Sequence, residues 1–437
     1  MTQKFAYFTF SLLLIFMFLS LFFPGLPADN TIQAINPADT AWMLTSTALV
    51  LIMTPGLAFF YGGMVNKKNV LSTMLQSFIC MALITVIWFI IGFSLSFGDS
   101  FHGIIGNPKS FFMMKDVVNG KPWPGAPTIP LVLFAFYQLK FAIITPALIT
   151  GAFAERIKFR SYLLFIVLFC IFIYCPLAHA TWHPNGILAK AGILDFAGGV
   201  VVHMSAGWAA LASAIFLKGR NESVHNPARI TYVLLGTGLL WFGWLGFNAG
   251  SAFHADGIAA VSIATTSTAS AAASFTWIIF DAVRGRKAGA MGACIGAVVG
   301  LVAITPAAGY VSIPQSFVIG TVASVVSSLM VEWRSKKTSI DDTLDVFPCH
   351  GVGGIVGMLL TGVFASSKIN PAVTGNGLIY GESHLFMVQL LAMIGVSIFV
   401  FIGTYLLLKF TNFISPLRVS EAEEREGLDW SQHHEKL

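Results

Sequence analysis

Two histidines, His203 and His350, lie in apolar stretches long enough to cross a bilayer, and each follows an aspartate by eight positions, Asp195 and Asp342. An imidazole can donate, accept or relay a proton. In hydrocarbon an ionisable ring is costly, so it faces a cavity or a partner rather than lipid. Two neutral rings could hydrogen-bond to each other and pass a proton or a small polar molecule along a narrow lumen. A pair that recurs once in each half of a chain points to a duplicated scaffold with its site at the join. These residues indicate a conduction pathway. His179 and His254 lack that recurrence and are read as structural.

A second constellation is aromatic. Tyr137-Gln-Leu-Lys-Phe141 lies in the outer part of the third apolar run, Trp182 ends the fourth, and Trp244-Leu-Gly-Phe247-Asn-Ala-Gly-Ser251 ends the sixth. Aromatic faces attract a desolvated cation by about 0.5–2 kcal/mol each. Trp and Tyr at membrane ends also anchor a helix in the interface, and Trp182 suits both roles equally. Asp195 begins the fifth run, where a carboxylate meets a helix N-terminus favourably. It is read as a cap and scaffold that also influences the mouth electrostatically. Asp341, Asp342 and Asp345 stand at the start of the tenth run and have the same capping reading.

The elements that must hold these groups are membrane helices. The 437 residues are 56% hydrophobic and 10% charged, against about 25% charged in a soluble domain, which excludes most soluble enzymes. Apolar runs near 41–63, 70–96, 130–152, 161–182, 197–217, 230–249, 257–282, 287–305, 314–333, 348–366 and 384–411 predict eleven transmembrane helices, each near the roughly 20 residues a bilayer needs. The fold class is an all-α integral membrane protein. Ile144-Thr-Pro-Ala147 in the third run recurs as Ile304-Thr-Pro-Ala307 in the eighth, and the Asp–His spacing recurs in the fifth and tenth. Both matches are five runs apart, which predicts an inverted five-helix repeat (41–217 and 230–366) plus one extra helix, 384–411.

Charge sets the orientation. One set of alternate connections carries Lys67, Lys68, Arg156, Lys158, Arg160, Lys218, Arg220, Arg229, Arg284, Arg286, Lys287, Arg334, Lys336 and Lys337, and the other holds Lys109, Lys115, Lys121, Lys190 and Lys368. The positive-inside rule assigns the first set to the cytoplasm, so the mature N-terminus is expected outside and the C-terminus inside. The net charge of +5 calls for no nucleic-acid partner, because the basic residues sit at helix ends. Residues 1–28 resemble a secretory signal peptide, with cleavage expected near Ala28; an uncleaved anchor is the alternative, because the apolar run from Phe5 to Phe23 exceeds the usual h-region of about 7–15 residues. The membrane domain then spans 29–412, followed by a tail, 413–437. Five cysteines without a C-x-x-C read as small core residues rather than a disulfide or zinc framework.

The chain resembles the ammonium transporter (Amt/Mep/Rh) family, bacterial Amt type, across nearly its whole mature length. The matching stretches are Thr54 to Gly63, Phe141 to Pro146, Gly151 to Arg156, Asp195 to His203, Trp244 to Ser251 and Asp345 to Gly354. The resemblance implies eleven spans, an inverted repeat and a homotrimer with one pore per subunit in the inner (plasma) membrane. It implies that Phe141 and Phe247 form a stacked gate. Trp182 and Ser251, with Phe141 as floor and Tyr137 nearby, would bind ammonium, while His203, His350 and Trp244 line the pore. Asp195 and Asp342 would have structural and electrostatic roles. Tyr137 stands where bacterial members often carry Phe, and Lys140 is unexpected beside the gate, from which a turn of about 100° per residue carries it away. The tail from Leu417 to Trp430 resembles the family's cytoplasmic segment, implying coupling between subunits and docking of a PII-type signalling protein.

The function expected is ammonium transport, as NH4+ or NH3, with deprotonation at or after an outer aromatic site and no cofactor or metal. A Rh-like neutral gas channel for NH3 or CO2 is the nearest alternative. An ammonium-sensing receptor is a second, set against the roughly 26 residues after Thr411 and the roughly 50 that a signalling domain needs. A membrane metalloenzyme would need three or four converging ligands, and His179-Ala-Thr-Trp-His183 runs into Pro184 without the metalloprotease glutamate.

Overall fold

The computed structural model describes residues 3–23, 35–221 and 226–437. Among these the regular structure is almost all helix, the strand content being a two-stranded antiparallel pairing of Ser100–Phe101 with Ile105–Gly106. Among the described residues ten helices are long and apolar enough to cross a membrane: α1 (Pro37–Met64), α2 (Lys67–Phe97), α3 (Leu131–Phe153), α4 (Phe159–Lys190), α5 (Gly199–Leu217), α6 (Ile230–Ala252), α7 (Gly257–Val283), α9 (Ile313–Lys337), α10 (Phe347–Phe364) and α11 (His384–Ile414). The eighth apolar run forms a shorter helix, α8 (Ala290–Ile304), of 15 residues. Its end illustrates how context overrides a motif. Ile144-Thr-Pro-Ala147 lies inside α3, whereas the same tetrapeptide stops α8 at Thr305, where the Pro306 carbonyl accepts the amide of Phe196 (3.1 Å). An apolar N-terminal helix, Gln3–Ser20, precedes the bundle. The cleavage point expected near Ala28 lies outside the described residues.

The outer helices show that this bundle sits in an apolar solvent. α11 buries Leu385, Gln389, Ala392, Val396, Val400, Thr404 and Leu408, one stripe at helical spacing. Its other faces expose Leu391, Ile398, Leu406 and Phe413. A helix apolar on both its packed and its free faces belongs in a membrane, where backbone polar groups must be satisfied internally. The chain is a multi-pass membrane protein.

At the centre, α5 and α10 both begin with a π-helical turn, Gly199–Met204 and Phe347–Val352. π-turns are rare and recur at functional sites. The two helices cross where Gly207 meets Gly351, and a β-carbon on Gly207 would collide with the Gly351 backbone. Glycine at this crossing lets two backbones touch, as small residues do in membrane bundles.

The end of the bundle that carries most of the basic residues is tied by buried charge. Arg220 donates from Nε to Asp341 Oδ2 (2.8 Å), from Nη2 to Asp341 Oδ1 (3.0 Å) and from Nη1 to Glu155 Oε2 (3.0 Å). Burial raises the Asp341 carboxyl, but its bonds to Arg220 and the charge of Arg156 prevail and hold it down at about 2. Arg156 is fully buried and donates to Thr343 Oγ1 (2.6 Å) and to the carbonyls of Ala152 (2.9 Å) and Asp341 (2.5 Å). The α3–α4, α5–α6 and α9–α10 connections are thereby locked together.

The tail lies on this platform as two short helices, α12 (Glu421–Glu426) and α13 (Leu428–His433). Backbone bonds run from Lys158 N to Leu417 O (2.7 Å) and from Val419 N to Arg156 O (3.1 Å). Arg418 donates to Leu217 O (2.5 Å) and to Glu424 (3.0 Å), which accepts from Asn221 N (2.6 Å). Asp429 accepts from the amides of Leu71 (3.1 Å) and Ser72 (2.7 Å), capping α2 from a distant part of the chain.

Arg156→Ala strips a donor from Thr343 Oγ1 and from the carbonyls of Ala152 and Asp341 and is expected to cost about 3 kcal/mol. Thermal unfolding in detergent should show a clearly lowered midpoint; an unchanged midpoint would remove Arg156 from the platform's support.

Candidate functional site

The site starts with a backbone problem at the opening of α5. Gly198 adopts a left-handed conformation (φ 116°), which a side chain would strain, and the amides that follow it lie too early in the helix to find intrahelical acceptors. The Asp195 carboxylate supplies them. Its Oδ1 accepts from Gly198 N (2.9 Å) and Gly199 N (2.6 Å), and its Oδ2 from Val200 N (2.9 Å) and Val201 N (3.3 Å). The Asp195 carbonyl also accepts the indole N–H of Trp182 (3.1 Å), so one residue sets both the turn that carries His203 and the placement of the Trp182 ring. At the opening of α10, Asp342 Oδ2 accepts from Phe347 N (2.7 Å), three positions before His350.

The two buried imidazoles meet. His203 Nδ1 and His350 Nδ1 are 3.3 Å apart, with ring planes 19° from parallel. An N–H···N contact needs one of the facing nitrogens unprotonated, so the pair shares a single proton between these atoms. His203 Nε2 is buried and has no hydrogen-bond partner among the described residues. Trp244 stacks on His203 (5.2 Å, 15°) and is itself fixed by donating to Thr305 Oγ1 (2.9 Å).

Aromatic rings continue the column. Phe247 lies 6.0 Å from His203 and stacks on Phe141 at 4.2 Å and 26°; Trp182 meets Phe141 edge-on at 5.9 Å. Beyond Phe141 opens a cavity of about 370 Å³ whose wall includes Phe141, Trp182, Asp195 and Ser251. The series cavity, Phe141, Phe247, His203, His350 is thus continuous from α3 and α4 through α6 and α5 to α10.

Tyr137 stands one layer back. It is fully buried, does not line the cavity, and its hydroxyl shares its one proton between the carbonyls of Phe247 (2.9 Å) and Gly246 (3.0 Å), 3.3 Å from Ser251 Oγ. Ser251 Oγ donates to Phe247 O (2.9 Å), which leaves its lone pairs free for a donor in the cavity. Lys140 points away from the cavity, its Nζ 5.9 Å from the partly exposed Phe136 ring. His179 is held by Ser96 O (3.0 Å) and Ser100 Oγ (2.8 Å) and stacks on His183 at 4.3 Å. The five cysteines are free and buried, and among the described residues no group of three or more His, Cys, Asp or Glu side chains could hold a metal ion.

Sequence reasoning missed part of the cavity wall: Trp123, Phe134, Gln138, Phe196, Phe253, His254, Tyr310 and Asn370. Gln138 gave a usable signal, an amide inside an apolar helix one turn before Phe141. It is buried and its Oε1 lacks a partner among the described residues. The others come from connections and helix ends far apart in the chain and carried no local signal.

Residues 41–437 match the model of the Ammonium Transporter Family. A putative ammonium transporter of Methanothermobacter thermautotrophicus is 45% identical over 92% of this chain and 98% of its own length. An ammonium transporter of Bacillus subtilis is 43% identical over 91% and 98%. The crystal structure of Saccharomyces cerevisiae Mep2 superposes with a TM-score of 0.84 at 36% identity, covering 89% of this chain and 88% of that one. A buried histidine pair behind stacked aromatic rings, in a helical membrane bundle of this shape and sequence, therefore places the chain in the Ammonium Transporter Family, a family of transporters rather than enzymes.

Proposed function

We propose that the chain conducts ammonium nitrogen through a twin-histidine pore, from an outer cavity through the Phe141–Phe247 gate to the His203–His350 pair. The observation that carries this reading is the stacking of Phe141 on Phe247 at 4.2 Å with paired imidazoles directly behind. Ammonium is drawn to the cavity by the faces of Trp182 and Phe141, each contributing about 0.5–2 kcal/mol to a desolvated cation. Ser251 and Gln138 supply oxygens for its N–H groups. A bare charge among the buried rings behind the gate would give up its hydration, a prohibitive loss without compensation. Deprotonation at or after the aromatic site solves that problem, and ammonia goes on past the imidazole edges. His203, His350 and Trp244 line the path, with Trp244 stacked on His203; Asp195 and Asp342 hold the turns on which the histidines sit.

The scaffold is read as eleven spans, with α8 as the short eighth, forming an inverted five-helix repeat plus α11. The paired π-turns of α5 and α10, each behind an aspartate eight positions before its histidine, support it. The basic platform faces the cytoplasm and the aromatic cavity faces outside. The working unit is a homotrimer, with the tail as its regulatory contact and as the place where a PII-type protein docks.

A carboxylate in place of an imidazole would stabilise a whole cation on the path. His203→Asp or His350→Glu is therefore expected to admit potassium alongside ammonium, and Ala at both positions to reduce selectivity or flux strongly. Potassium current in proteoliposomes and growth of a potassium-uptake-deficient host read this out. Folded mutants that conduct ammonium normally and still exclude potassium would defeat the pore assignment.

Lys140 packs against Phe136, away from the cavity, so Lys140→Ala should lower thermal stability or trimer cohesion more than it changes selectivity. Altered selectivity at unchanged stability would move the ammonium group to the pore.

Truncation after Leu417 removes the cap on α2 and the bonds from Arg418 and Glu424, leaving every membrane helix in place. Reconstituted transport should fall while insertion is retained. Normal transport together with normal capture of a PII-type protein would deny the tail both roles.

A further inference from the structure

His254, three positions after Ser251, lines the outer cavity with its side chain about one-third exposed. Its Nδ1 lies 3.0 Å from Asp39 Oδ2 and 3.2 Å from Thr128 Oγ1. Thr128 donates its only hydroxyl proton to Asp39 Oδ2 (2.6 Å), and a carboxylate only accepts, so the proton in the His254–Asp39 contact belongs to His254 Nδ1. Asp39 is buried, and its other oxygen accepts the amide of Ala255 (2.8 Å). One carboxylate at the start of α1 thus anchors the α6–α7 connection and selects the imidazole tautomer. A neutral ring with its proton on Nδ1 keeps a lone pair on Nε2. His254 Nε2 has no protein partner among the described residues.

Building on the recruitment reading above, we propose that His254 Nε2 is an ammonium acceptor in the outer cavity, taking one N–H of the cation held by the faces of Trp182 and Phe141. Aromatic faces attract a cation through its charge. A ring-nitrogen lone pair adds direction, which favours a ligand with four N–H donors over a spherical ion of equal charge. Asp195 and Tyr310 are the other titratable groups on the cavity wall; Asp195 is committed to the amides of α5, and the adjacent Asp256 caps Ile258 and Ala259. Asp39 is the positioning residue, acting on ammonium only through His254.

His254→Asn separates recruitment from loop anchoring. An Asn amide can still donate to Asp39 from the Nδ1 position, yet offers nothing at the position of Nε2. The expected result in proteoliposomes is an apparent KM for ammonium raised about tenfold to hundredfold, the fold-change of one hydrogen bond to a charged ligand. The maximal rate and thermal midpoint stay near wild type. Asp39→Asn is the second variant. Its amide would donate to Nδ1 and force the proton onto Nε2, turning the acceptor into a donor, and KM should rise again. Wild-type KM in both variants, or a fall in midpoint and maximal rate without a change in KM, would overturn the proposal. Trp182→Ala, assayed alongside, keeps the two readings apart. If it leaves KM unchanged, outer recruitment itself fails; if it raises KM while the Asn variants do not, only the role of His254 fails.

Discussion

The site depends on one carboxylate answering a backbone that the membrane would otherwise forbid. Hydrocarbon offers no partner to an unpaired amide, so a helix that opens deep in a bundle needs an internal acceptor for its first turn. Asp195 accepts from four successive amides, Gly198 to Val201, and gives its carbonyl to Trp182. With those amides satisfied, α5 can open as a π-turn, and the wider turn brings His203 to within 3.3 Å of His350. The position of the Trp182 ring and that of the His203 imidazole are thus consequences of one residue, the first through its backbone carbonyl and the second through its carboxylate.

The two ends of the bundle are held by different physics. At the aromatic end, ring stacking and hydroxyl-to-carbonyl bonds keep Phe141, Phe247 and Tyr137 in place, with Asp39 pinning the connection that carries Phe253 and His254. At the basic end, Arg220, Glu155 and Asp341 form a partly buried ionic network, and Arg156 is buried among carbonyls. Removing one member leaves others unpaired in low dielectric, a far larger loss than for a surface pair. The tail borrows this rigidity through the Arg156 carbonyl and the Asn221 amide, and it caps α2 with Asp429. Moving the tail therefore uncovers helix amides more than 350 positions away in sequence.

Much of the architecture was legible because the membrane imposes a simple code. Each apolar run that predicts a span corresponds to a helix at the same place, since no other local structure hides its backbone polar groups in lipid. The exception in length is informative. α8 ends at Thr305 although the same tetrapeptide lies inside α3, and just past that end the carbonyl of Pro306 accepts the amide of Phe196 in the chain entering α5. A motif states what the chain can do, and the neighbouring element decides whether it does so.

The sequence by itself determined the solvent, the helices, the polarity of charge along the connections and the eight-residue interval between each aspartate and its histidine. All of these are local or periodic properties of one strand of text. Only the tertiary structure decided which rings touch. It withdrew Tyr137 from the cavity to bond two carbonyls of α6, turned Lys140 toward Phe136, and brought Gln138 and His254 to the wall beside Trp182 and Ser251. The reason is geometric. The cavity is built from helix ends and connections between 97 and 372, and whether a polar atom there faces a ligand or a carbonyl depends on partners that no local spacing encodes.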